Sequence, residues 1–400
     1  MNTDRYTRIH RDFPSAVYLR RRARRRLPRF AFEYLDGGAG ADGGIQRNRS
    51  ALDARVLTPR YGVVTVPPPT ATTLFGRSYS APFGVAPMGG PSIAWPGADR
   101  FLAAAAQQAN VPYVLGTFSG ITIECASATA PDVWWFQLYR APNNDHAIAL
   151  DLIDRARVCG AHALVMTIDV PVRTTRPREV AAGLSVPFRP TLRMIGDLLV
   201  SPAYTNKLLS RGQPRFANLY RYAGESVGVN DIDRFASNEL VGTFTWEEVA
   251  RFRDRWQGPL LVKGLLHPDD AERAVSIGTD GIWVSNHGGR QVEALPATID
   301  VLGGIVDAVA GRATVLVDSG VSSGQDISRV LHEGADAAFV GKAFLWALGA
   351  LGDEGPAYLC ALLANQLSET LGQLGASTPA AIALANPKPD EAAATPGVPL

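Results

Sequence analysis

An α/β chain closing as a (β/α)8 TIM barrel, with a helical segment before it and a long insertion after its fourth strand, is the fold that three observations predict. Short apolar runs recur along the chain, helix-like patterns fill most of the gaps, and polar residues gather just after the runs. Runs that are apolar throughout suit strands buried on both faces, and parallel strands need helical crossovers. Polar residues at the C-terminal ends of strands are where a barrel builds its site. An open doubly wound sheet is the competing arrangement, but no Gly-x-Gly-x-x-Gly follows the first run.

Residues 1–75 read as a helical segment and lead-in. Its basic stretch Arg20–Arg26 is either the solvated face of a helix or a contact for anionic lipid or nucleic acid. The barrel is expected over 76–375, with strands at Phe83–Pro87, Val111–Leu115, Trp134–Leu138, Ala163–Ile168, Pro259–Val262, Gly281–Val284, Thr314–Val317 and Ala337–Val340. Helices are expected at Ala98–Ala109, Asp145–Cys159, Pro268–Ile277 and Ser323–Glu333. The rhythm breaks over about 172–245, where Pro187, Pro190, Pro202 and Pro214 interrupt a polar stretch, and a lid is expected there. From Ala376 to the end, prolines among alanines leave little to pack and suggest a flexible tail.

Composition excludes several classes. Hydrophobic residues at 46% with 19% charged are a globular mix, not a disordered one. Lys+Arg 39 against Asp+Glu 38 leaves a net charge of +1, so no global field recruits nucleic acid. Cys125, Cys159 and Cys360 lack the spacing of a disulfide scaffold or zinc site; no metal is expected, and a reducing cytoplasm fits. No apolar run reaches the roughly 18–20 residues of a transmembrane helix, and no signal peptide is visible.

The sharpest cluster follows the sixth strand: Ser285-Asn286-His287-Gly288-Gly289-Arg290-Gln291. Glycines admit close backbone approach, histidine exchanges a proton near neutral pH, and arginine grips a carboxylate bidentately. Lys263, Asp169, Gln137 and Tyr139 end the fifth, fourth and third strands, so these groups converge on one mouth. A second cluster, Asp318-Ser319-Gly320-Val321-Ser322-Ser323-Gly324 and then Gly341-Lys342, follows strands seven and eight. Barrels commonly bind phosphate there, and a helix N-terminus with a lysine suits a dianion.

The first cluster, with Leu261-Val262-Lys263-Gly264, Phe32-Glu33-Tyr34, Ala86-Pro87, Phe136-Gln137-Leu138-Tyr139 and Thr167-Ile168-Asp169, resembles the FMN-dependent α-hydroxy-acid oxidase and dehydrogenase family, which includes glycolate oxidase, lactate oxidase and mandelate dehydrogenase. The resemblance spans roughly Leu27 to Leu371. It implies oxidation of an L-2-hydroxy acid to the 2-keto acid with FMN as cofactor and oxygen or another electron acceptor. His287 would be the base and Asp169 its orienting carboxylate. Arg290 and Arg176 would anchor the substrate carboxylate, while Tyr34 and Tyr139 add hydroxyls. Lys263 would sit by the flavin carbonyl edge, with Ala86 and Pro87 against the ring and Met88, Thr117, Gln137, Thr167, Ser285 and Asp318 among the flavin contacts. Gly320, Ser322, Gly341 and Lys342 would face the phosphate. A homotetramer or octamer is implied, with no nucleic-acid partner.

Departures from the family pattern shape the remaining expectations. Ser322 and Lys342 stand where arginines are usual, and Ser319 where a glycine is, which weakens the phosphate grip. Phe118 and Gly89 replace a tryptophan and an alanine, suggesting a substrate larger than glycolate, aryl side chains included, with Trp95 and the insertion as elements that could refill the pocket. Two alternatives stay open: a tailoring enzyme of the same scaffold that oxidises an amine or modified amino acid or peptide, and a flavin-free barrel binding a phosphorylated ligand.

Overall fold

The computed structural model of the chain describes residues 3–63, 66–172, 174–184, 189–224 and 227–382. Helices Thr3–Asp12, Ala16–Arg26, Arg29–Asp36 and Gly43–Ala54 precede a small antiparallel hairpin of β1 (Thr72–Leu74) and β2 (Arg77–Tyr79). The parallel strands follow as β3 (Phe83–Val85), β4 (Tyr113–Leu115), β5 (Trp134–Leu138), β6 (Leu164–Thr167), β7 (Leu260–Leu265), β8 (Gly281–Val284), β9 (Thr314–Val317) and β10 (Ala337–Val340). They close in the order β10-β3-β4-β5-β6-β7-β8-β9, the expected eight-stranded barrel.

Closure works because almost every strand residue is buried, which is what a parallel sheet covered by helices demands. Large rings fill the interior: Trp283 lies 4.2 Å from Phe339 and Trp135 5.5 Å from it, between ring centres. Gly84 makes room for them, since a Cβ there would come within 2.5 Å of the Phe339 ring. The hairpin plugs the N-terminal end, with Phe75 packed edge-on against Trp135 at 5.6 Å. The opposite end is thereby left for chemistry.

The helix at Ala98–Ala109 has the expected ends, Pro268–Ser276 stops one residue short, Gly324–His332 is one residue shorter at each end, and the helix expected at Asp145–Cys159 runs Asn143–Val158. Strand β7 runs further than expected, to Leu265, because a register shift between Lys263 and Leu265 accommodates Gly264 at φ +110. The insertion contains helices Pro177–Ala181, Leu192–Leu199, Pro202–Arg211, Tyr220–Ala223 and Val229–Glu239. Leu219, Ile232 and Ala236 give it a small core of its own, against which Phe118 and Phe216 pack. The expected tail needs correcting at its start: Ala376 and Ile382 are buried against the main core, so packing persists past Ala376. Residues 383–400 lie outside the described residues, as does Pro187.

Candidate active site

His287 follows β8 in a left-handed turn, at φ +57, with Gly288 at +67 and Gly289 at +72. The turn points the ring across the barrel mouth, where Nδ1 lies 3.1 Å from both oxygens of Asp169 after β6. Gly264 permits this approach, since a Cβ there would sit 2.5 Å from the Asp169 Cβ. Burial by itself would raise the Asp169 carboxyl, but the charges of His287 and Lys263 outweigh it and hold the group below its ordinary value. Asp169 therefore stays ionised and fixes the ring so that Nε2 faces the Tyr139 hydroxyl, 3.5 Å away. Burial, with Asp169 close by, pushes the Tyr139 phenol up, so it remains a proton donor near neutral pH.

Arg290 reaches the same region from the end of that turn. Its Nη1 donates to the carbonyls of Tyr34 and Gly37, both at 2.8 Å, and its guanidinium lies over the Tyr34 ring at 5.4 Å. Tyr34 itself donates to the Gly89 carbonyl. Arg176 comes from the insertion. One oxygen of Glu179 joins the two arginines, at 2.8 Å from Arg290 and 3.2 Å from Arg176. Next to them Arg178 ties the insertion to the N-terminal segment through Glu33 at 2.5 Å, Asp42 at 2.6 Å and Asp36 at 2.9 Å.

On the inner side, Lys263 is buried and donates to Ser285 Oγ at 2.8 Å, with Asp318 at 3.1 Å. The Ser285 hydroxyl in turn donates to Asp318 Oδ1 at 2.6 Å. Gln137 donates to Thr167 at 3.0 Å and accepts from the Thr117 amide at 3.2 Å. Thr117, Gln137, Thr167, Lys263, Ser285 and Asp318 are all buried, a polar layer where a barrel interior is otherwise apolar. A cation beside amide and hydroxyl groups of both polarities is a donor set that fits the carbonyl and nitrogen edge of a flavin. Ala86, Met88 and Gly341 are neighbours, a Cβ at Gly341 meeting Met88 Sδ at 3.7 Å and the Ala86 Cβ at 3.9 Å.

The chain matches the profile of the family described as FMN-dependent dehydrogenase over residues 23–387. It belongs to the FMN-dependent dehydrogenase family. An L-lactate dehydrogenase of Stenotrophomonas maltophilia (strain R551-3) is 36% identical over 355 residues, covering 88% of this chain and 93% of that protein. One of Caulobacter vibrioides (strain NA1000 / CB15N) is 36% identical over 370 residues, covering 92% and 96%. Among solved structures, (S)-mandelate dehydrogenase, described as a monotopic membrane protein, superposes with a TM-score of 0.88 at 30% identity, covering 93% of this chain and 98% of that one. Mandelate oxidase with (S)-4-hydroxymandelic acid gives 0.80 at 33% identity, with the same coverage. The chain is thus an FMN-dependent oxidoreductase acting on 2-hydroxy acids, and the amine-oxidising and flavin-free readings give way to it.

Some expected site residues behave differently from the rest. Trp95 is buried elsewhere: its indole donates to Asp353 at 3.0 Å and lies under Arg26 at 5.2 Å, while the insertion brings Phe216 to Phe118, 5.1 Å away ring to ring. Ser322 turns both its amide and its hydroxyl to Asp326, at 3.0 and 3.3 Å. Lys342 places Nζ 3.2 Å from the Asp36 carbonyl, and burial, reinforced by Arg290, pushes its ammonium well below the ordinary lysine value. Sequence reasoning missed Phe216, Glu179 and the hydroxyl of Ser319. Glu179 alone left a signal, an acid among the alternating arginines of Arg176-Pro177-Arg178-Glu179.

Proposed function

We propose that His287 is the base of this oxidation, Asp169 its orienting carboxylate, and Arg290 with Arg176 the anchors of the substrate carboxylate. The observation that carries this reading is the His287 ring itself, with Nδ1 held 3.1 Å from both Asp169 oxygens and Nε2 directed at Tyr139. In this reading Nε2 takes one proton of an L-2-hydroxy acid as the Cα–H bond breaks and the carbonyl forms, and the other hydrogen leaves with the two electrons. Asp169 stabilises the resulting imidazolium, and proton acceptance at Nε2 serves either order of cleavage. Tyr139 and Tyr34 donate towards the substrate oxygens. Bound FMN supplies the two-electron acceptor.

Lys263, Ser285 and Asp318 would hold the polar edge of FMN, with Thr117, Gln137 and Thr167 beside them and Ala86, Pro87 and Met88 against the ring. Gly320, Gly341 and Lys342 would meet the phosphate; Ser322 is instead committed to the Asp326 carboxylate, to which its amide and hydroxyl both donate. Phe118, Phe216 and Tyr139 form an aromatic wall, and a Cβ at Gly89 would meet only Phe118, at 3.9 Å. This supports a side chain larger than that of glycolate, aliphatic or aryl. Comparing kcat/KM for glycolate, L-lactate and L-mandelate tests it; a preference for glycolate would refute the pocket reading. Turnover under air against turnover with an added quinone analogue distinguishes the acceptors.

We also propose that the protein works at an anionic lipid surface from the cytoplasmic side, as an oligomer of four or eight subunits. The insertion supports the lipid contact: Leu192 and Leu199 are 88% and 77% exposed, with Ile195, Val200 and Leu209 also facing out. Over residues 189–215, Arg189, Arg193, Lys207, Arg211 and Arg215 outnumber the single acid Asp197. The mandelate dehydrogenase described as monotopic lends support. No helix among the described residues is long and apolar enough to cross a membrane.

A further inference from the structure

Ser319 is a non-glycine residue at φ +80, a conformation that side chains resist. Its hydroxyl occupies the centre of the network that shapes the His287 turn. Ser319 Oγ accepts from the Gly288 amide at 2.9 Å and the Asn286 amide at 3.3 Å, and donates to Asp318 Oδ1 at 2.7 Å. One proton and two lone pairs are all a hydroxyl offers, so Ser319 is saturated. The remaining amides of the turn are met similarly, His287 by Ser285 Oγ at 3.0 Å and Gly289 by Asn286 Oδ1 at 3.1 Å.

Asp318 also takes Ser285 and Lys263, so one carboxylate links the buried lysine to the histidine turn through Ser319. The three consecutive left-handed residues His287, Gly288 and Gly289 form a single short turn with one backbone hydrogen bond of its own, from the Gly289 amide to the Asn286 carbonyl at 3.1 Å, and side-chain oxygens hold the rest. We infer that Ser319 is a positioning residue for His287: its hydroxyl pegs the left-handed turn so that Nδ1 meets Asp169 and Nε2 meets the substrate. The inference rests on the reading of His287 as base.

The test uses the full FMN-loaded chain with Ser319→Gly, Ser319→Ala and Ser319→Thr. Glycine relieves the backbone and loses the hydroxyl, alanine loses only the hydroxyl, and threonine keeps it. Amide exchange over 285–291 is measured first, because it reads the peg whether or not the enzyme turns over. Expected is faster exchange in the glycine and alanine variants with FMN affinity retained. Their kcat falls about tenfold or more with KM little changed, and the isotope effect of Cα-deuterated substrate grows, as misplacement of a reacting group requires. Threonine retains kcat even if it melts earlier. Unchanged exchange would overturn the peg; faster exchange with unchanged kcat, or loss of FMN as the main effect, would overturn the positioning role. Wild-type enzyme that reduces no flavin with any 2-hydroxy acid would defeat the assignment of the base instead, leaving the exchange result to judge the peg.

Discussion

At the barrel rim, each amide from Asn286 to Gly289 meets a side-chain oxygen, and the ring of His287 is fixed by Asp169 and Gly264. The insertion after β6 is held by side chains that reach out to other elements, Arg178 on three carboxylates of the N-terminal segment, Lys207 on Asp353, Tyr222 on Asp151 and Tyr204 in the main core, while Leu192, Ile195 and Leu199 face outward. The two regions meet at Glu179, where the insertion's carboxylate bridges Arg176 to the rim's Arg290. The difference teaches a division of labour. Proton transfer tolerates little displacement and belongs on strand ends, whereas substrate selection and surface contact can belong to an added segment.

The largest effect that would sharpen this comparison is at the rim. Replacing His287 with Gln should lower kcat by roughly 10²–10⁴-fold, the usual contribution of a positioned base, with FMN still bound by its visible spectrum. Asp169→Asn should follow in the same direction, since it removes the charge that stabilises the protonated ring. Breaking the insertion's anchor comes next. Arg178→Ala leaves Glu33, Asp36 and Asp42 facing one another, and a loss of about 2–4 kcal/mol in unfolding free energy is expected, together with a raised KM. A much larger fall in kcat than rise in KM would contradict the division.

A smaller effect is expected from the outer face. The triple variant Leu192→Ser, Ile195→Ser, Leu199→Ser should keep kcat with a soluble substrate and lose co-sedimentation with phosphatidylglycerol vesicles. Wild-type protein that ignores such vesicles, or a triple variant whose subunit number changes, would remove the lipid reading. The effect with least bearing on either region concerns pH. Asp99 is buried and its carboxyl is pushed up to about 6, by burial against hydrogen bonds from Gly120 and Ser92. A raised carboxyl contributes stability at low pH that is lost as pH rises from its unfolded value, about 4, through 6. Unfolding free energies of wild type and Asp99→Asn should therefore diverge by roughly 3 kcal/mol between pH 4 and pH 7, in favour of the variant at the higher pH.

The barrel was legible because strands such as Trp134–Leu138 are buried on both faces, and continuous apolar runs have few other uses. The His287 and Lys263 clusters were legible as chemistry because polar residues at strand ends are costly unless used. The insertion's helices were obscured by prolines and mixed polarity, since their stability comes from docking, not periodicity. Trp95 was misplaced because its partner Asp353 lies 258 residues away, beyond anything local pattern carries. Ser319 registered only as a serine in place of glycine; its positive φ, and hence its use, exists only in the folded backbone.

The central claim, that the rim carries the redox chemistry through His287, is tested most directly by anaerobic mixing of the FMN-loaded protein with L-lactate and L-mandelate. The flavin's visible absorbance should bleach in wild type, with one equivalent of 2-keto acid formed per flavin, and bleach at least a hundredfold more slowly in His287→Gln. Equal bleaching rates in the two proteins would contradict it.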